Sequence, residues 1–272
     1  MASLAQIIFW SMIVLIFAMA VIIILLLVIA FSGNHGIVTT NNNHPVGNLG
    51  QDVLLDCSFQ TKTEKISTND VSITWTKQNL SGTVYQYNKN AVQLQDQNSQ
   101  FQDRSWLFPP SISTGNASLL LSSVRLMDEG LYDCSVNAPG VFGTVRIDLR
   151  VGAFSAPTIT KSNNSLTAVA MRWLPKPEVT WSYQNGTRLN SSTQFNTSSS
   201  GIVEVLSILQ HALNEETYTC VIQNFLVTAV TEASVSGDEV STKINFIYNS
   251  SPKINKTPLI SAIPILLSML VW

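Results

Sequence analysis

The run Asp128-Glu129-Gly130-Leu131-Tyr132-Asp133-Cys134 constrains this chain more than any other stretch. Gly130 permits a tight bend. In the strand that follows, side chains alternate between faces, so Tyr132 and Cys134 point the same way. A tyrosine turned inward two residues before a cysteine, its hydroxyl bonded to nearby backbone, marks a strand entering a β-sandwich at a corner. Upstream lie Cys57 and, between the two cysteines, Trp75 in Val71-Ser72-Ile73-Thr74-Trp75. This order fits an indole packed against a disulfide that ties two sheets together. A Cys57–Cys134 bridge would close a long loop and contribute roughly 4–5 kcal/mol on the chain-entropy account.

The pattern predicts an immunoglobulin-type sandwich, and the spacing of the cysteines leaves room for the two extra strands of a variable-type domain. Val53, Leu55, Cys57 and Phe59 alternate onto one face of a strand, as do Val71, Ile73 and Trp75 on another. An edge strand is expected near Ile37-Val38-Thr39, and further strands over Thr83 to Tyr87, Ala117 to Val124 and Thr144 to Val151. Arg104 stands where variable-type domains place an arginine, and it is expected to pair with Asp128 as a structural clamp.

Gly152-Ala153-Phe154-Ser155-Ala156-Pro157 reads as a short linker. Beyond it, the segment from Arg172 to Trp181 has the form of a turn into a strand carrying a core tryptophan, and Tyr218-Thr219-Cys220 repeats the Tyr-x-Cys signature. The expected partner cysteine is missing, because its slot falls near Ala168. Cys220 is therefore unpaired. It is read either as a thiol for joining two chains or, preferably, as an inert core residue behind Trp181.

The ends are apolar. Ile7 to Phe31 is interrupted only by Ser11 and is long enough to span a bilayer. Ala30 and Ser32 suit cleavage before Gly33, which favours a cleaved signal over an uncleaved anchor. Leu259 to Trp272 contains Pro264 and would reach about 21 Å as a helix, short of the ~30 Å hydrocarbon core. Small residues at Asn249-Ser250-Ser251, a polar spacer and this tail fit a glycolipid-anchor signal, with a short membrane span or a soluble product as alternatives. None of these leaves a cytoplasmic tail, which argues for a ligand over a signalling receptor.

The expected organisation is all-β, two tandem immunoglobulin-like sandwiches between apolar terminal segments. Residues 1–32 are a signal or signal anchor, 33–152 a variable-type domain and 153–247 a constant-type domain lacking one cysteine. A polar spacer over 248–258 and the tail over 259–272 follow.

The Asp128-x-Gly130-x-Tyr132-x-Cys134 corner, the joining Gly152-Ala153-Phe154-Ser155 and the Arg172-Trp173-x-Pro175-x-Pro177 segment together resemble the B-seven/butyrophilin group of T-cell co-signalling ligands. The opening Met1 to Ser11 and Gly115-Asn116-Ala117-Ser118-Leu119 are similar to that group too. The resemblance implies a ligand at the external side of the plasma membrane whose first domain binds a protein receptor on T cells and restrains their activation. Ala168 departs from the group, which has a cysteine there. An adhesion module that pairs with itself or with related sandwiches is the alternative.

In either case one sheet face of the first domain is the expected contact. Its candidates are Tyr85, Tyr87, Asn137, Pro139, Val141 and Phe142, because aromatic side chains favour interface centres. Glycosylation sequons occur at Asn79, Asn116, Asn163, Asn185, Asn190, Asn196, Asn249 and Asn255. Those at Asn185, Asn190 and Asn196 predict a sugar-covered flank on the second domain. A net charge of −2 and sparse basic residues exclude a nucleic-acid partner. His35, His44 and His211 lack metal-ligand spacing, and no nucleophile motif is present. No enzyme activity, cofactor, metal or small-molecule substrate is expected.

Overall fold

The computed structural model describes residues 4–31, 36–60 and 65–249. The first helix, α1 (Leu4–Phe31), contains a stretch, Phe9–Leu26, with mean hydropathy 3.0. That stretch is exposed, and the helix is long and apolar enough to cross a membrane. The proposed cleavage point before Gly33, His35, the carboxyl-terminal tail and Asn255 lie outside the described residues.

The first sandwich contains β1 (Val38–Thr39), β2 (Val46–Asn48), β3 (Val53–Leu55), β4 (Ser58–Phe59), β5 (Ser72–Lys77), β6 (Tyr85–Asn88), β7 (Ala91–Val92), β8 (Ser105–Trp106), β9 (Leu119–Leu121), β10 (Gly130–Ala138) and β11 (Val141–Gly152). One side joins β1 to β4 and orders β3-β9-β8; the other is a six-stranded sheet, β2-β11-β10-β5-β6-β7. The strands β6 and β7 are the additions that make a sandwich variable-type. A disulfide joins Cys57, between β3 and β4, to Cys134 on β10, and so ties the two sheets together. Trp75 is Cys134's partner across β5 and β10, is fully buried, and donates its indole N–H to the Ala117 carbonyl at 2.9 Å.

The corner closes this core. Tyr132 donates its hydroxyl to the Asp128 carbonyl at 2.7 Å. Arg104 holds the Asp128 carboxylate through two nitrogens at 3.0 and 2.9 Å, and Gln100 and the Arg125 backbone N–H add bonds of 2.9 and 2.8 Å. Burial by itself would raise the Asp128 pKa. The bonds from Arg104, Gln100 and Arg125 outweigh it and hold the carboxyl below its ordinary value.

The second sandwich pairs a sheet of order β12-β13-β17-β16 with one of order β15-β14-β18-β19-β20. These strands are β12 (Thr158–Ser162), β13 (Ser165–Trp173), β14 (Glu178–Tyr183), β15 (Arg188–Leu189), β16 (Ser191–Thr197), β17 (Val203–Gln210), β18 (Thr217–Gln223), β19 (Val227–Ser236) and β20 (Glu239–Tyr248). Trp181 lies opposite Cys220 across β14 and β18 and donates to Ser207 Oγ at 3.0 Å. The Tyr218 hydroxyl accepts the Leu213 N–H at 2.7 Å. Ala168 and Cys220 are both fully buried in this core, and the free Cys220 thiol has its pKa pushed up to about 12 by burial.

Strand β20 extends the second sandwich's five-stranded sheet beyond β19. Gly237 turns at φ +59° in a two-residue loop, and the chain then runs back antiparallel along β19. Its end reaches the junction between the sandwiches, where Phe246 and Tyr248 each pack against Phe154 with ring centres 5.7 Å apart. The junction is bonded as well. Asn48 donates to the Phe154 carbonyl at 3.0 Å and accepts its N–H at 3.1 Å, while Arg172 donates to the Leu49 carbonyl at 2.8 Å. Arg150 donates to the Asn249 carbonyl.

Candidate recognition face

Alternation along β10 and β11 decides what the six-stranded sheet shows to solvent. Register sets Phe142 opposite Asn137, Asn137 opposite Ser72, and Ser72 opposite Asn88, giving one outward row across four strands. The next row is Thr144, Ser135, Thr74 and Gln86, in which the Ser135 and Thr144 hydroxyls are hydrogen-bonded at 2.8 Å. A third contains Arg146, Asp133 and Thr76, with Arg146 donating to the Asp133 carboxylate at 2.8 and 3.3 Å. That carboxylate raises the Arg146 pKa, but the pair is solvated and serves to orient the two side chains more than to stabilise the fold.

The face is therefore polar except at one corner. Phe142 is 76% exposed, beside the tight Pro139-Gly140 turn that joins β10 to β11. Asn137 and Pro139 are exposed with it.

Three of the expected contact residues do not belong to this surface. Tyr85, Tyr87 and Val141 are 6%, 2% and 2% exposed and are part of the first core. The reason is register: Tyr85 is the cross-strand partner of Trp75 and Tyr87 that of Ile73, so both rings share the inward side with those residues. Burial accordingly raises the Tyr85 pKa. Gln86 and Asn88 take the outward positions instead. Alternation along β6 relative to Trp75 would have identified them, given the pairing of β5 with β6.

The opposite face of the same sandwich carries a second surface. Leu54, Leu120 and Trp106 form one row across β3, β9 and β8, with Leu54 48% and Trp106 42% exposed. The outward-pointing Leu120 was hidden in the apolar run Leu119-Leu120-Leu121, where composition alone does not tell the faces apart.

Of the sequon asparagines within the described residues, Asn79, Asn163, Asn185, Asn190 and Asn196 are exposed, while Asn116 and Asn249 are half-buried. His44 lies 3.5 Å from Asp148, and His211 is exposed in a turn. Among the described residues, no three His, Cys, Asp or Glu side chains converge as metal ligands would.

Residues 40–151 match the Immunoglobulin V-set domain family. Rat V-set domain-containing T-cell activation inhibitor 1 is 33% identical over 262 residues, covering 93% of this chain and 92% of the relative. The human protein of that name is 32% identical, covering 88% and 87% respectively. Among solved structures, the human B7-H4 IgV-like domain is 30% identical over 43% of this chain and 97% of its own, with a TM-score of 0.40. Bovine butyrophilin is 19% identical over 78% of this chain and 97% of its own, with a TM-score of 0.47.

Proposed function

Since this chain belongs to the family of V-set domain-containing T-cell activation inhibitors, we propose that it is a cell-surface ligand that binds a receptor on T cells and restrains their activation. The first sandwich carries the contact through the outward face of β11, β10, β5 and β6. The observation that carries this reading is the exposure of Phe142 at the edge of a polar sheet. An aromatic ring held in solvent by a tight hairpin is a pre-organised anchor, able to bury a large area for little loss of rotamer freedom. Asn137, Ser72, Asn88 and Gln86 supply hydrogen-bonding groups around it, the arrangement of an apolar centre within a polar rim. Inhibition as the sign of the signal rests on kinship with the activation inhibitors.

A second reading, self-association through sandwich faces, is supported by the row of Leu54, Leu120 and Trp106. Cells displaying the full chain are expected to reduce the proliferation of stimulated T cells, and Phe142→Ala is expected to remove the effect. Displaying cells that only cluster with one another, leave T cells unaffected and lose clustering with Leu54→Ser would favour the second reading and overturn the first.

A further inference from the structure

On the second sandwich, the outer face of the sheet β12-β13-β17-β16 contains a groove bordered by Val169, Leu206, Phe195, Gln194, Glu204 and Asn196. Its floor follows from register. Val169, Leu206 and Gln194 are cross-strand neighbours in one row, and Glu204 pairs with Asn196 two residues along, about 7 Å away. Val169 and Leu206 are outward-facing aliphatic groups on a sheet whose inner face already fills the second core. Leaving such a surface uncovered is unfavourable.

Asn196 is itself a wall of this groove and is the acceptor of the sequon Asn196-Thr197-Ser198. Its side chain is exposed, on β16, the edge strand of the sheet. We propose that an N-linked sugar on Asn196 folds back into the groove and is its resident occupant. In the transfer that installs it, the Asn196 carboxamide nitrogen bonds to the anomeric carbon of a lipid-pyrophosphate-linked oligosaccharide. The carbon–oxygen bond to pyrophosphate breaks, the lipid pyrophosphate leaves, and the amide nitrogen gives up one proton.

The groove fits the first N-acetylglucosamine in both of its characters. The apolar C–H face of the ring lies over Val169 and Leu206. The acetamide N–H and ring hydroxyls have the Glu204 carboxylate and the Gln194 carboxamide as partners. Such a sugar closes this flank to protein partners and leaves the first sandwich as the open surface. That consequence does not depend on which face of the first sandwich binds.

The test is hydroxyl-radical footprinting of the full chain, produced in mammalian cells and purified in detergent, with site occupancy read by mass spectrometry. Asn196 is expected to be occupied. Labelling of Leu206 and Val169 is expected to rise several-fold in Asn196→Gln, and to stay at the wild-type level in Thr187→Ala, which removes the neighbouring Asn185 sequon. Enzymatic removal of glycans from the folded wild type gives the same comparison without a variant. Trimming to the single protein-linked sugar is expected to preserve protection. Labelling of Phe142 serves as the internal standard and is expected not to change. An unoccupied Asn196, or equal labelling of Leu206 with and without the sugar, overturns the proposal.

Discussion

Trp75 and Tyr85 lie directly opposite one another across β5 and β6, both turned into the core that surrounds the Cys57–Cys134 bridge. This pairing removes two tyrosines from the surface and hands their outward positions to Gln86 and Asn88. It also separates variants that damage the fold from variants that damage recognition. Tyr85→Ala opens a cavity in a close-packed interior and is expected to cost about 3–5 kcal/mol, the range of aromatic truncations in cores. Phe142→Ala is expected to change stability by less than about 0.5 kcal/mol while abolishing T-cell binding. Chemical denaturation and flow cytometry of the two variants, measured side by side, check both halves.

The Arg104–Asp128 clamp predicts a specific acid response. The carboxyl has a folded-state pKa below its unfolded value near 4. Its contribution is therefore fully present above about pH 4 and is lost as the pH falls through the folded-state value. Asp128→Asn leaves Arg104 buried beside a neutral partner and is expected to cost about 3–5 kcal/mol at neutral pH. The dependence of stability on pH below 4 is expected to become shallower in the variant. Urea denaturation at stepped pH reads both effects.

The second core is missing one covalent tie. Ala168 and Cys220 are fully buried in the same cluster, on strands of facing sheets. In Ala168→Cys, the introduced thiol is expected to oxidise with Cys220 to a disulfide and to stabilise this sandwich by about 2–4 kcal/mol, the usual yield of such a bridge. Non-reducing peptide mapping and the thermal midpoint check it. In the native chain, the Cys220 thiol, with its pKa pushed up to about 12, is expected to resist alkylation at pH 8 until the protein is unfolded.

Gly152 sits where the two sandwiches meet. A Cβ there would lie 2.6 Å from the Leu174 carbonyl oxygen and 2.7 Å from Leu226 Cδ1. Because one of these contacts is backbone, relief requires the junction to open. Gly152→Ala is expected to loosen the two sandwiches relative to one another while leaving the Cys57–Cys134 bridge intact. Small-angle scattering of wild type and variant is expected to show a larger radius of gyration for the variant.

What could be read from the chain without a structure was whatever is written within a single strand or a short motif. Alternation put Leu55, Cys57, Ile73, Trp75, Tyr132 and Cys134 in a core, and the short motif from Asp128 to Cys134 located the corner. The empty slot at Ala168 was equally visible as a break in a repeated pattern. The Gly237-Asp238 hairpin carries a local signal too, since a glycine-containing dipeptide between alternating residues marks a tight turn.

Register, faces and junctions were decided only in three dimensions. Alternation says which residues of a strand share a side, but not which side faces the neighbouring sheet. That is fixed by the partner strand, often far away in sequence, and a shift of one residue exchanges the two faces. Tyr85 and Phe142 therefore looked alike as aromatic residues near turns, and only pairing with Trp75 and Asn137 sent one inward and the other out. The same holds for β20, whose return to Phe154 depends on contacts between residues that no local window contains.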